Sequence, residues 1–209
     1  MSAKLFKADI LFLQRLLASS GLYKGPLDGK WSSAVEKSDQ NFDAESATIA
    51  AQLGAFDQRT EEKIFTLIPK AQTKAREFMR ALPAGSLTYR IISGTRTYAE
   101  QDALYAIGRT VELNRKPVTN ATGGRSNHNF GIAWDVGIFK DGTYYEGGKK
   151  HPEQEQAYVD LGAHIKANVK GLDWGGDWTT FIDRPHYECR TGKSVAQVRT
   201  LLEAGKPYV

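Results

Sequence analysis

A single cysteine, Cys189, occurs in 209 residues. That excludes an intrachain disulfide framework and any cysteine-based zinc finger. No run of 18 apolar residues is present, so the sequence offers no membrane-spanning helix. Charge of one sign is scarce as well: 28 Lys and Arg against 24 Asp and Glu leave +4. Residues 1–70 balance at nine basic and nine acidic, so the whole excess belongs to residues 71–209. Such a surplus is too small and too scattered for a nucleic-acid groove, though it suits an enzyme working at a polyanionic surface. Low-complexity tracts and internal repeats are missing, and 41% hydrophobic with 25% charged residues is a folding composition. The length allows one domain, or a catalytic domain with a small appendage.

What is present divides near residue 68. Ile10, Leu11, Leu13, Leu16 and Leu17 mark an amphipathic helix closed by Ser20-Gly21. A turn-rich stretch, Leu22 to Gly29, follows with Gly-Pro and Asp-Gly punctuation. Further helical sequence runs through Ala34–Val35 and again around Ala47–Leu53. Leu13-Gln14-x-x-Leu17 and Gly21-x-Tyr23-x-Gly25-x-x-Asp28-Gly29 resemble a three-helix peptidoglycan-binding module, departing from that pattern at Trp31-Ser32-Ser33-Ala34. The resemblance implies that residues 1–68 are a wall-binding module; a helical packing domain without a ligand is the alternative.

Residues 69–209 read as mixed. Pro69 opens a helix whose apolar face is Ala71, Ala75, Phe78, Met79 and Leu82. Leu87–Ser93 alternates as a strand, and Thr97-x-x-Glu100 caps a helix running to Ile107. A polar, Gly-rich loop covers 109–127, Gly131–Phe139 reads as a strand, and Asp141-Gly142 as a hairpin turn. A helix carries Tyr158, Leu161, Ile165 and Val169, and Ser194-x-x-Gln197 caps a last one. With no βαβ rhythm, this predicts an α+β domain with a small, largely antiparallel sheet and flanking helices, preceded by a small all-α domain.

Chemistry concentrates in two segments, Ser126 to Asp135 and Asp177 to His186. A catalytic zinc site needs three N or O ligands and one open position. His128 and Asp135, seven apart, are too distant for one helical turn. A loop-to-strand path can still bring both to one edge of a sheet, with His186 arriving from a second strand. Each histidine alone is more often a hydrogen-bonded structural residue than a ligand.

The strings Ser126-x-His128-x-x-Gly131-x-Ala133-x-Asp135 and Asp183-x-Pro185-His186, with Ser93-Gly94-Thr95-Arg96-Thr97-Tyr98-x-x-Gln101 upstream, closely resemble a zinc peptidase family. That family comprises D-Ala-D-Ala carboxypeptidases, dipeptidases of vancomycin resistance and L-alanyl-D-glutamate endopeptidases of phage lysins. The resemblance spans about residues 75–190. It implies His128, Asp135 and His186 as Zn2+ ligands, Asp183 as general base, and Arg96 as a clamp on a substrate carboxylate. Ser126 and Gln101 join the substrate-binding set, although Ser126 serves equally to shape its turn and Gln101 to brace its loop. His151 and His164 are expected to be exposed or structural, Cys189 a core residue, and Trp134 turned away from the metal. Asp173 and Asp177 are expected to shape the cleft wall.

The Asp-x-Pro-His form is more like the phage endopeptidases, which implies cleavage between L-Ala and D-Glu of peptidoglycan. The rivals are a D-Ala-D-Ala carboxypeptidase, and a metal-containing wall-binding module without turnover of the kind hedgehog signalling domains exemplify. Asp9 and Arg15 interrupt any secretory core at the start, so no signal peptide is expected, and holin-type release or delivery would carry the protein to the wall. Neither a nucleic-acid partner nor membrane insertion is expected, and a monomer is the default.

Overall fold

Local signals in the sequence account for most of the secondary structure. A computed structural model describes residues 6–209; the first five residues of the start read for a secretory leader lie outside them. The elements are α1 (Lys7–Ser19), α2 (Ser33–Leu53), α3 (Gln58–Ile64), α4 (Pro69–Arg80), β1 (Leu87–Ser93), α5 (Tyr98–Ala106), β2 (Ala133–Lys140), β3 (Thr143–Tyr144), α6 (Pro152–Asn168), β4 (Leu172–Trp174), β5 (His186–Cys189) and α7 (Val195–Glu203). Among the described residues every strand pairing is antiparallel, in the order β1-β2-β5-β4 with β3 on β2. The expected α+β class with a small antiparallel sheet holds.

The described chain forms two compact units, and neither is one continuous stretch. The first gathers residues up to Ala47, Thr95–Ile132 and Thr191–Val209; the second gathers Thr48–Gly94 and Ala133–Arg190. In the first, Leu17, Tyr23 and Val35 form a core with Leu13, Leu22, Leu27 and Phe42 against it. The buried Gln14 side chain locks the 22–29 turn, donating to Asp28 Oδ1 (3.1 Å) and Lys30 O (3.0 Å) and accepting from Gly29 N (2.8 Å). Tyr23 Oη donates to Pro26 O at 3.0 Å. A Cβ on Gly25 would run into the Tyr23 ring, so the motif residues Gln14, Tyr23, Gly25 and Asp28 are architecture for this turn. The N–H of Lys30, then the Gln14 amide, hold the Asp28 carboxyl below its ordinary range. The two helical stretches predicted at 34–35 and 47–53 are one 21-residue helix, α2.

In the second unit, α4 lays Phe78 against Trp134 and Tyr187 beneath the sheet, with ring centroids 6.1 and 4.7 Å apart. Arg76, fully buried on the same helix, binds Glu61 of α3 bidentately at 2.8 Å and the Gly54 carbonyl at 2.8 Å. Helix α3 was not anticipated, although its cap is written in the sequence: Asp57 accepts from Thr60 N (3.3 Å) and Thr60 Oγ1 (2.6 Å). Thr60 Oγ1 in turn receives Ile91 N of β1 at 3.2 Å, tying α3 to the sheet. No helix of the described residues is long and apolar enough to cross a membrane.

Candidate metal centre

Antiparallel pairing places Asp135 of β2 directly opposite His186 of β5. Because side chains alternate across a strand, both then face one side of the sheet while Trp134 and Tyr187, also paired, face the other. Trp134 is fully buried there, turned from the metal side as expected. Strand β2 lies between β1 and β5, so Asp135 stands inside the sheet and not at its edge as the loop-to-strand path anticipated. The pairing of β1 with β2 slips between Ile91 and Ser93, opposite Val136 and Asp135, which opens the ladder beside the carboxylate.

His128 comes from a 3₁₀ turn, Asn127–Phe130, capped by Ser126, whose hydroxyl accepts His128 N at 3.4 Å. Gly131 ends that turn at φ +67° and ψ 23°, a conformation that only glycine adopts at little cost. The strand predicted from residue 131 therefore begins at Ala133. Ligand atoms of His128, Asp135 and His186 all lie within 4.8 Å of one another. His186 Nδ1 and Asp135 Oδ1 are 3.4 Å apart. Donors bound at about 2.0–2.2 Å to a tetrahedral ion stand roughly 3.3–3.6 Å apart, so this pair already has the required spacing. Two imidazoles and a carboxylate can hold a metal ion and leave a fourth position open, the pattern of a catalytic site and not of a closed structural one.

His186 is buried, and its other ring nitrogen, Nε2, is 2.8 Å from Glu188 Oε2. Burial opposes a charged ring, but hydrogen bonds to Asp135 and Glu188 outweigh it and push the imidazole up to about 9. A cation seated at Nδ1 would take the place of one of those two protons. The Trp178 ring lies against His186 with centroids 4.9 Å apart.

Asp183 sits three residues before His186 in a turn built by main-chain bonds. His186 N donates to Asp183 O (3.2 Å), Asp183 N to Gly175 O (3.0 Å), and Val136 N to Pro185 O (2.9 Å). Trp174 anchors the segment through Nε1, which donates to Arg184 O at 2.8 Å. Its indole fills a slot where a Cβ on Gly162 or Gly176 would collide with it. Gly175 is equally constrained, since a Cβ there would strike the Asp183 carbonyl oxygen and crowd His186 Cβ at 3.0 Å. Gly175→Ala is therefore expected to destabilise the protein by about 1–3 kcal/mol, as overpacking against backbone does. Thermal unfolding would measure this, and an unchanged midpoint would show that the turn has room to move.

Arg96 stands on a loop fastened to the His128 turn: its N–H donates to His128 O at 3.1 Å. Asn129, fully buried, donates from Nδ2 to Arg96 O (2.9 Å) and Thr97 O (3.3 Å) and accepts from Gly124 N (2.9 Å). Sequence reading missed Asn129, and it missed Tyr208, whose hydroxyl donates to Phe130 O at 2.5 Å. Gln101 is buried with Nε2 donating to Ala121 O (2.9 Å) and facing Thr119 Oγ1 (3.4 Å), the loop-bracing arrangement.

The remaining polar candidates serve architecture. His151 is exposed at the N-cap position of α6, ahead of Pro152, and His164 Nε2 is 2.7 Å from Ala81 O. Asp173 pairs with Arg190 and Asp177 with Lys166, each at 2.7 Å. Cys189 is buried, and burial pushes its thiol up to about 12, far from a reactive thiolate.

Residues 119–189 match the sequence model of a family described as D-alanyl-D-alanine carboxypeptidase. The chain is 39% identical over 104 residues to the peptidoglycan L-alanyl-D-glutamate endopeptidase CwlK of Bacillus subtilis (strain 168). That similarity takes in 47% of this chain and 58% of the Bacillus protein, so the chain spans little more than half of its relative's length. A crystal structure of the Serratia marcescens L-Ala D-Glu endopeptidase ChiX aligns with 64% of this chain and 88% of its own, at 23% identity and a TM-score of 0.44.

Proposed function

We propose that this protein is a zinc peptidoglycan hydrolase that cleaves the L-Ala–D-Glu bond of wall stem peptides. The observation that carries the reading is the clustering of His128, Asp135 and His186 donors beside the turn that holds Asp183. The relative from Bacillus supports the choice of bond. A zinc ion held by these three residues would supply a Lewis acid that polarises a carbonyl and makes water nucleophilic near neutral pH. Asp183 receives the proton of the attacking water and returns one to the departing amine of D-Glu. Arg96, with its planar pair of N–H donors, orients the peptide by a carboxylate. Ser126 shapes the His128 turn and faces substrate from it, while Gln101 keeps the 119–121 loop in place beside the substrate.

The description of the matched family favours a second reading, removal of the terminal D-Ala by a carboxypeptidase. Mass spectrometry of products from purified sacculi separates the two. Stem peptides newly beginning at D-Glu, with L-Ala left on the glycan, are expected; released D-Ala in their place would establish the carboxypeptidase. Silence on both that a chelator does not alter would leave a metal-containing wall binder.

The wall-holding function is proposed for residues 1–68, of which those up to Ala47 belong to the first compact unit and those from Thr48 to the second. Within them Trp31 is 43% exposed, a flat apolar face available to a sugar ring. In an inactive Asp183→Ala background, Trp31→Ala is expected to reduce co-sedimentation with sacculi several-fold. Unchanged sedimentation would remove Trp31 from any binding surface.

A further inference from the structure

We propose that Glu188 is a positioning residue of the metal centre, accepting the Nε2–H of His186 and so turning the Nδ1 lone pair toward Asp135. This rests on the metal reading above and adds a residue to it. Residues 186 and 188 are alternate positions of β5, so both side chains leave the same face of the sheet. The Nε2 to Oε2 distance is 2.8 Å, and the opposite ring nitrogen is 3.4 Å from Asp135. A ring flip would put carbon atoms at both places, so the two carboxylates together select one ring orientation.

The placement of Glu188 is otherwise unfavourable. Glutamate is depleted in strands, and β5 runs between β2 and β4, with Glu188 paired to Ala133 on one side and Asp173 on the other. Its side chain is only 15% exposed. A carboxylate so enclosed needs a donor, and the His186 ring supplies one. The small Ala133 beside it leaves room for the carboxylate to reach across to the imidazole. Trp178 covers the same ring and limits its tilt. Metal-bound histidines commonly donate their second N–H in this way, and loss of the acceptor costs about 10–100-fold in metal affinity.

Two measurements on the full chain test the assignment. Long-range nitrogen–proton NMR of the zinc-loaded wild type should show His186 protonated at Nε2 and ligating through Nδ1. A proton on Nδ1 would overturn the proposal whatever the variants do. Zinc titration against a chromophoric chelator should show Glu188→Ala weakened about 10–100-fold, and Glu188→Gln, which keeps an acceptor oxygen, weakened less. Circular dichroism of each variant confirms its fold, and Glu188→Gln carries the affinity test if the alanine variant unfolds. Affinities within twofold of wild type would overturn Glu188 alone and leave the metal reading standing. A wild-type protein that takes up no zinc would bring down the metal reading and this proposal with it.

Discussion

His186→Ala is expected to lose tight zinc binding and, with it, all hydrolysis of sacculi. The loss is large because, among the described residues, the cluster has three protein donors, and His186 is one of them. Structural zinc sites bind with about 10–16 kcal/mol shared over four ligands, so one ligand carries roughly 2.5–4 kcal/mol, or about 10²–10³-fold in affinity. The deletion also strips Glu188 of the N–H it faces and Trp178 of the ring it lies on. The loss should therefore exceed that of Glu188→Ala, which leaves all three donors in place. Metal analysis after dialysis against a weak chelator checks it. Full occupancy in the His186→Ala protein would take His186 out of the ligand set and dissolve the arrangement described above.

The parts of this centre that sequence reading reaches, and those it does not, differ in how local they are. A capping box such as Thr97 with Glu100, or Ser194 with Gln197, is complete within four residues, and α5 and α7 begin where those boxes place them. The Asp141-Gly142 turn is likewise local: both residues have positive φ and deliver β3 back onto β2. Strands β4 and β5 are three and four residues long, too short for Leu-Asp-Trp and His-Tyr-Glu-Cys to carry a period that can be read. Helix α3, with seven residues, spans only two turns, and its Asp57 cap is what announces it.

The site divides in the same way. The cluster of His128, Asp135 and His186 is legible because its members fall in two short strings of fixed spacing. Asn129 and Tyr208 are not, because each acts through a main-chain carbonyl at long range: Asn129 on Arg96 and Tyr208 on Phe130. Nothing in a side chain's identity reveals which distant carbonyl it will meet. Glu188 is intermediate, two residues from a ligand on one strand face, yet its meaning depends on the ring orientation that Asp135 helps to set. Compactness is the least local property of all. Residues 95–132 group with the N-terminal helices and residues 48–94 with the sheet, a division no composition shift marks.

Asp183→Ala should separate metal binding from turnover. Main-chain hydrogen bonds help to shape the 183–186 turn: Asp183 N to Gly175 O, and His186 N to Asp183 O. Truncating the carboxylate leaves those bonds and the three metal donors in place, so zinc affinity should stay within a few-fold of wild type. Turnover, by contrast, should fall on the order of 10²–10⁴-fold, the usual contribution of a positioned general base. That is about 2.7–5.4 kcal/mol of barrier at 1.36 kcal/mol per decade. Asp183→Asn should fall as far, because an amide cannot receive the water proton, whereas Asp183→Glu should recover part of the loss if the extra methylene still lets the carboxylate reach. Peptide release from sacculi, measured with zinc saturating, reads all three. Near-normal rates in both Asp183→Ala and Asp183→Asn would place the base elsewhere. A wild type that binds zinc and sacculi yet releases nothing would fit a metal-containing wall binder, for which a carboxylate at position 183 has no use.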